Sequence, residues 1–372
     1  MLALFCAVKF TLQKHARSRV IPSDAVHTSR QSTTRLTVPS NLKNMKKVFL
    51  SLTFLVLALF AQNCVTDHIV PIPEPTNLTS NPFVSNLKAP IGIALDDNGN
   101  IWVTEVGTGT NSNDGSISMI TPSGQKTLFV TGLQSITSMG SIEGLTKLLY
   151  KDGKLYFLHG VSGKLYIADV SSFHAGDSPV SLAGIPVHDI GDFVRGKNYT
   201  DPVNSNPFEM VFGPDNNLYI ADAGGNVIIK REQGTGALSE FALIPKTDEG
   251  NEAVPTGIVF DGSKFIVTTL TGFPFTPGAA KIFQITTAGF VSEYKTNLTT
   301  LSGIALSVNN KPIVLQHGTF DLGFEVGTGK VVDENGNTLL DGLSQPTDIV
   351  RSGERTYYLV SYKDGTISKL SY

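Results

Sequence analysis

The chain has 372 residues, 41% hydrophobic and 16% charged, with 36 Gly and 19 Pro, which suits a large turn-rich core and excludes a disordered, coiled-coil or collagen-like chain. Net charge is −3, but the first 64 residues hold nine Lys and Arg against one acid, Asp24, so the remaining 308 carry about −11. A body of that sign repels phosphate backbones, so nucleic acid is not expected as a partner.

Residues 1–44 are polar, basic and aperiodic. Met45-Lys46-Lys47 followed by the apolar run Val48–Phe60 reads as an export signal, a charged start and a 13-residue hydrophobic stretch too short for the roughly 20 residues a bilayer span needs. Such a signal normally opens a chain, so Met45 reads as the initiator and 1–44 as an extension. Cys64 follows the run at once and precedes a Pro-rich tether over 65–81, which makes it a lipidation candidate. The expected locations are secreted, periplasmic or lipid-anchored at an outer membrane, with the membrane touched only through that anchor. The other cysteine, Cys6, lies in the extension, so no disulfide is expected in the mature domain.

From residue 82 onward one phrase recurs: an alternating strand, a Gly/Asn/Asp turn and a second strand. Copies run Pro90–Glu105, Glu143–His159, Phe208–Asp222, Pro255–Thr269, Leu301–His317 and Pro346–Ser361. Their second strands end near 105, 159, 222, 269, 317 and 361, at intervals of 44 to 63 residues. Each copy is followed by an outer hairpin, so four strands make a unit that exposes apolar residues on both faces and is stable only when stacked in a ring. The expected fold is all-β: a six-bladed β-propeller over 82–372, four antiparallel strands per blade, a monomer. The last copy stops after three strands, and Phe83–Leu87 supplies the fourth from the other end of the domain. Insertions at 170–206 and Gly318–Gly329 interrupt the repeat; such insertions tend to gather on one face, as solvated loops or as binding elements.

No GxSxG, HExxH, CxxC or P-loop pattern is present. Asp96-Asp97-Asn98-Gly99-Asn100 resembles half a calcium loop, lacks the distal glutamate, and reads as a hairpin turn. The sequons at Asn77, Asn198 and Asn297 read as chance matches. Because the first strand of a blade pairs antiparallel with the second, strand-one starts and strand-two ends share one rim of the channel. That places Glu105, His159, Asp222 and His317, with Glu209 and Asp348, at one mouth; Glu143 joins them in one register. Carboxylates there suit Ca²⁺, histidines extend the choice to Zn²⁺, and a carboxylate–histidine pair suits acid–base work. A merely wet, polar rim needs none of this.

Thr271-Gly-Phe-Pro-Phe-Thr-Pro-Gly-Ala-Ala-Lys-Ile-Phe283, and Gly213–Asn226 before it, resemble signatures of the ScyD/ScyE family, NHL-like six-bladed propellers named for a cyanobacterial pigment gene cluster. The resemblance spans 82–372 and implies the fold and export, with no catalytic residues to carry over. From the residues alone, TGFPFTPGAA is a strand connection that brings Phe273 and Phe275 to the same rim, as a ligand wall or as packing beneath the loop. Two functions stay open. One is an exported binding or scaffold module whose acidic channel mouth takes a small molecule, a glycan or a protein. The other is a metal-assisted lactone or ester hydrolase similar to gluconolactonases, with Glu105, Glu209, Asp222 and Asp348 as ligands and His159 or His317 moving protons.

Overall fold

The computed structural model describes residues 71–138 and 141–372; the expected export signal at Met45–Phe60 and the lipidation candidate Cys64 lie outside them. Strand β1 (Thr79–Val84) comes first and joins the last blade. Blade one holds β2 (Pro90–Leu95), β3 (Ile101–Glu105), β4 (Thr110–Ile120) and β5 (Lys126–Ser138), with a short fifth strand, β6 (Ser141–Glu143), at its edge. Blade two is β7 (Leu145–Lys151), β8 (Lys154–His159), β9 (Lys164–Asp169) and β10 (Val187–Asp189). Blade three is β11 (Pro207–Phe212), β12 (Leu218–Asp222), β13 (Val227–Arg231) and β14 (Leu238–Leu243). Blade four is β15 (Pro255–Phe260), β16 (Lys264–Thr269), β17 (Ala280–Thr286) and β18 (Val291–Leu298). Blade five is β19 (Leu301–Leu306), β20 (Pro312–Gln316), β21 (Gly329–Asp333) and β22 (Thr338–Leu343). Blade six is β23 (Pro346–Arg351), β24 (Thr356–Ser361) and β25 (Thr366–Ser371), completed by β1. All pairings are antiparallel, and the fold is the six-bladed propeller expected from the repeat.

The ring closes where the sequence leaves the last blade a strand short. Pro82 lies opposite Ser368 and Val84 opposite Ile367. The closing strand is Thr79–Val84, a few residues earlier than Phe83–Leu87; Leu87 lies beyond it, donating its N–H to the Gly365 carbonyl at 3.0 Å and burying its side chain between blades six and one. As an edge strand β1 pairs on one side only, which is why Pro82, lacking an N–H, is tolerated.

The core confirms the stacking logic. Buried apolar residues form six clusters, each between two adjacent blades: Trp102 and Phe129 of blade one meet Leu148 and Phe157 of blade two, and Val103 of blade one meets Val360 and Ile367 of blade six. Successive residues of one strand serve opposite junctions, as the pleat requires. Ile93 faces blade six and Ala94 faces blade two.

Short turns define the lower rim. Asp96 Oδ1 accepts the Asn98 and Asn100 N–H groups at 2.9 Å, and Oδ2 accepts Trp102 Nε1–H at 3.1 Å. With Gly99 at φ +76° this is a hairpin turn, as its sequence indicates. Asp333 repeats the device toward Asn335 and Asn337. Of the two insertions, 170–206 divides between the rims. Residues 170–186 follow β9 at the lower rim, whereas α1 (Gly191–Arg195) follows β10 at the upper rim.

Around the axis, the second residue of an innermost strand hydrogen-bonds to the next blade. Thr146 donates to the Pro207 carbonyl (2.9 Å), Thr256 to Leu301 (2.6 Å), Ser302 to Pro346 (2.6 Å) and Thr347 to Pro90 (3.3 Å). Ile91 and Phe208 lack a hydroxyl at this position; between blades one and two Thr104 Oγ1 reaches the Thr146 carbonyl instead, at 2.7 Å. Thr256→Val keeps the shape and leaves a buried carbonyl without its donor, so we expect a loss of about 1–2 kcal/mol in urea unfolding. An unchanged midpoint would show that these links carry no stability.

Candidate functional site

Every innermost strand has a bulge between its first and third or fourth residues. Bulges re-aim side chains, and here the third residues around the ring are Gly92, Lys147, Glu209, Gly257, Gly303 and Asp348. Lys147 is fully buried; its Nζ lies 2.7 Å from Glu209 Oε2 on blade three and 3.1 Å from Asp348 Oδ1 on blade six, the opposite side of the ring. It extends far enough to come within 3.2 Å of where a Cβ on Gly303 would stand, and a Cβ on Gly92 would meet Lys147 Cα at 2.6 Å. The glycines make room for the lysine. Glu209 also accepts the Met210 N–H (3.1 Å), and Asp348 accepts those of Ile93 (2.9 Å) and Ile349 (3.0 Å).

Of the expected acidic mouth, only Glu209 and Asp348 come together, and what they enclose is an ammonium. A divalent cation does not fit there, because Lys147 already holds its position and charge. Among the described residues no three His, Cys, Asp or Glu side chains form a metal-holding group. Glu143 lies in β6; the residue homologous to Glu209 is Lys147, because Leu145 pairs with His159 as Pro207 pairs with Asp222, and Lys147 and Glu209 are each the third residue of their strand.

The second-strand residues Glu105, Asp222 and His159 instead bind backbone near the junctions between blades. Glu105 accepts the Lys88 N–H (2.9 Å) and pairs with Lys126 (2.5 Å). Asp222 accepts Ser205 Oγ–H (2.6 Å) and the N–H groups of Asn206 and Gly225 (2.8 Å each); burial still raises its carboxyl above the usual range. His159 donates Nε2–H to the Gln134 carbonyl (2.8 Å) and accepts from Ser162 at Nδ1 (2.6 Å), and burial holds its pKa down, so it stays neutral. These side chains satisfy polar backbone where one blade passes to the next.

His317 lies one step further along. Gln316, not His317, is opposite Leu301, so the homologue of Glu105 is Gln316 and His317 faces the next blade. A one-residue slip reverses the face of a strand residue. Nδ1–H donates to the Pro346 carbonyl (3.1 Å), the ring meets Phe324 edge-on (4.6 Å between centroids), and burial lowers its pKa to about 4.

Phe324 belongs to an assembly only partly visible in sequence. The β16–β17 and β20–β21 connections, 271–279 and 317–328, lie side by side on the upper rim. Phe275 contacts Phe320 (4.8 Å) and Phe324 (5.0 Å), Phe320 contacts Phe324 (5.2 Å), and Phe273 joins at 6.1–6.2 Å. TGFPF and the insertion after His317 thus form one wall. Phe320 and Phe324 escaped the sequence reading; two phenylalanines four apart in a Gly-rich loop were the available signal. The wall is not packed away: Phe273 is 72% exposed, Val326 62% and Leu322 99%. Its base is fixed. Thr271, at φ +78°, donates its N–H to Ala253 (3.0 Å), Gly272 donates to Glu252 (2.7 Å), and Gln345 Nε2–H bonds the Phe324 carbonyl (3.1 Å).

Comparison with known proteins gives the fold and nothing narrower. No family model matches the chain, and no curated protein aligns with it. Solved structures do. A Bacteroides thetaiotaomicron protein of unknown function aligns at TM-score 0.54 and 12% identity, over 79% of this chain and 76% of that one. A gluconolactonase-like protein aligns at 0.51 and 12%, over 80% and 93%. Streptogramin B lyase aligns at 0.48 and 16%, over 81% and 99%. At such identities the likeness is one of architecture, and one architecture hosts many functions.

Proposed function

We propose that the protein is an exported binding module. A rigid ring holds the aromatic wall of loops 271–279 and 317–328 toward a partner. The observation that carries this reading is the wall itself: a connected cluster of four phenylalanines from two blades, with Leu322 and Val326 of the same loop at 99% and 62% exposure. Exposed apolar patches of this kind on a folded ring mark interaction surfaces. The resemblance to exported ScyD/ScyE propellers agrees with it, as does the export signal at Met45–Phe60. The hydrolase reading has less support, because Glu105 and Asp222 are committed to backbone while Glu209 and Asp348 hold Lys147.

Fluorescence tests it. The protein has one tryptophan, Trp102, which is buried. Phe273→Trp in a Trp102→Phe background puts the only indole on the wall. We expect at least one member of a panel of oligosaccharides, peptides and lipid vesicles to shift its emission saturably, and Leu322→Ser with Val326→Ser to abolish the shift. A reporter that no member perturbs, in a protein that melts normally, would overturn the reading.

A further inference from the structure

The charged side chains within the two wall loops are all acidic. The two loops hold Asp321 and Glu325 and neither lysine nor arginine. Glu249, from the neighbouring upper-rim connection, reaches the wall by accepting Thr276 Oγ1–H at 3.0 Å. None of these three carboxylates pairs with a cation among the described residues; of the nearby lysines, Lys246 is taken by Glu252 and Lys281 by Asp248 and Glu293, while Lys330, at the start of β21, lines a cavity with Thr319 and Thr328 at the far edge of the second loop. His317, under Phe324, uses its Nδ1–H on the Pro346 carbonyl and leaves Nε2 as a lone pair with no protein partner among the described residues. An apolar surface whose own two loops carry only negative charge is matched by a ligand that brings apolar groups together with charged donors, and phenylalanine faces add cation–π attraction for an ammonium or guanidinium.

We propose that this wall binds a segment of another protein in which apolar side chains alternate with lysine or arginine; the proposal rests on the upper rim being the binding surface. Charge complementarity argues for this occupant over others. A second copy would set Asp321 and Glu325 against their own kind, and the ring is acidic overall. An anionic lipid surface would be repelled by the same carboxylates. The chain also enters on the opposite side: Glu74 Oε1 accepts from Ser307 Oγ (3.0 Å) and Asn309 Nδ2 (2.8 Å) at a lower-rim hairpin.

The test uses the Phe273→Trp reporter and synthetic amphipathic peptides of leucine and lysine, beside the same peptides with glutamate for lysine. Saturable binding of the lysine peptide is expected, weakened about tenfold or more by Asp321→Asn with Glu325→Gln and by raising salt from about 0.05 to about 0.5 M. The glutamate peptide is expected not to bind. Equal binding of the two peptides, or lysine-peptide binding unchanged in the double variant, overturns the proposal. So does a response only to oligosaccharides, only to phosphatidylglycerol vesicles, or only to rising protein concentration, and each of these leaves the upper rim as the binding surface. Silence toward every probe overturns both readings.

Discussion

Lys147→Met is expected to destabilise the ring by about 3–5 kcal/mol in chemical unfolding, because it leaves Glu209 and Asp348 buried without their counter-ion. The triple variant Lys147→Met, Glu209→Gln, Asp348→Asn should recover most of that loss, since it removes the buried charges together. A single variant as stable as the natural protein would show that the channel centre is wet and the triad irrelevant. The same group predicts a pH dependence. Burial pushes the Glu209 carboxyl up to about 7 against the pull of Lys147, and it raises Asp348 too. A carboxyl whose folded pKa lies above its unfolded value holds its proton more tightly when folded. Its contribution to stability is complete below the ordinary carboxylate range and is lost as pH rises through about 7, on the order of 3 kcal/mol in all. The histidines kept neutral by burial, His159 and His317, act in the opposite sense, favouring the fold as pH rises. The difference between natural protein and Glu209→Gln therefore carries the test: the stability of the natural protein relative to that variant should fall from pH 5 to pH 8. Parallel curves would contradict it.

Removing residues up to Val84 should abolish cooperative folding of the whole ring. Blade six would lose its outer strand, and β25 would become an open edge able to pair with other chains. Leu78, 2% exposed in the cluster between blades five and six, would go as well. Leu78→Ala separates the two effects, with an expected cost of about 2–4 kcal/mol and an unchanged ring. A truncated protein that melts in one sharp transition near the natural midpoint would refute closure by β1 as a requirement for stability.

The fold was largely legible because a repeat is a local signal. Alternation within Pro90–Leu95 or Pro346–Arg351, turn residues such as Asp96 and Gly99, and a missing last strand are all readable along the chain. The site was less so. Glu105, Asp222, Glu209 and Asp348 occupy comparable places in the repeat, yet the first two face backbone and the last two face the axis, a difference of strand and bulge. His317 was misplaced by one residue, which reverses a strand's face. Lys147 has no local mark of its role, because Glu143-Gly144 just before β7 offers a competing start to the repeat four residues earlier.

The amino-acid sequence by itself determined the architecture, the completion of the last blade by a segment from the start of the domain and the acidic sign of the ring, since each follows from pattern or composition. Only the tertiary structure decided which charges meet. Lys147 and Asp348 are 201 positions apart and come from blades that are not neighbours, and Phe275 and Phe324 come from different blades. Neither pairing has a local signature, because the geometry that creates it exists only once six sheets have closed around an axis.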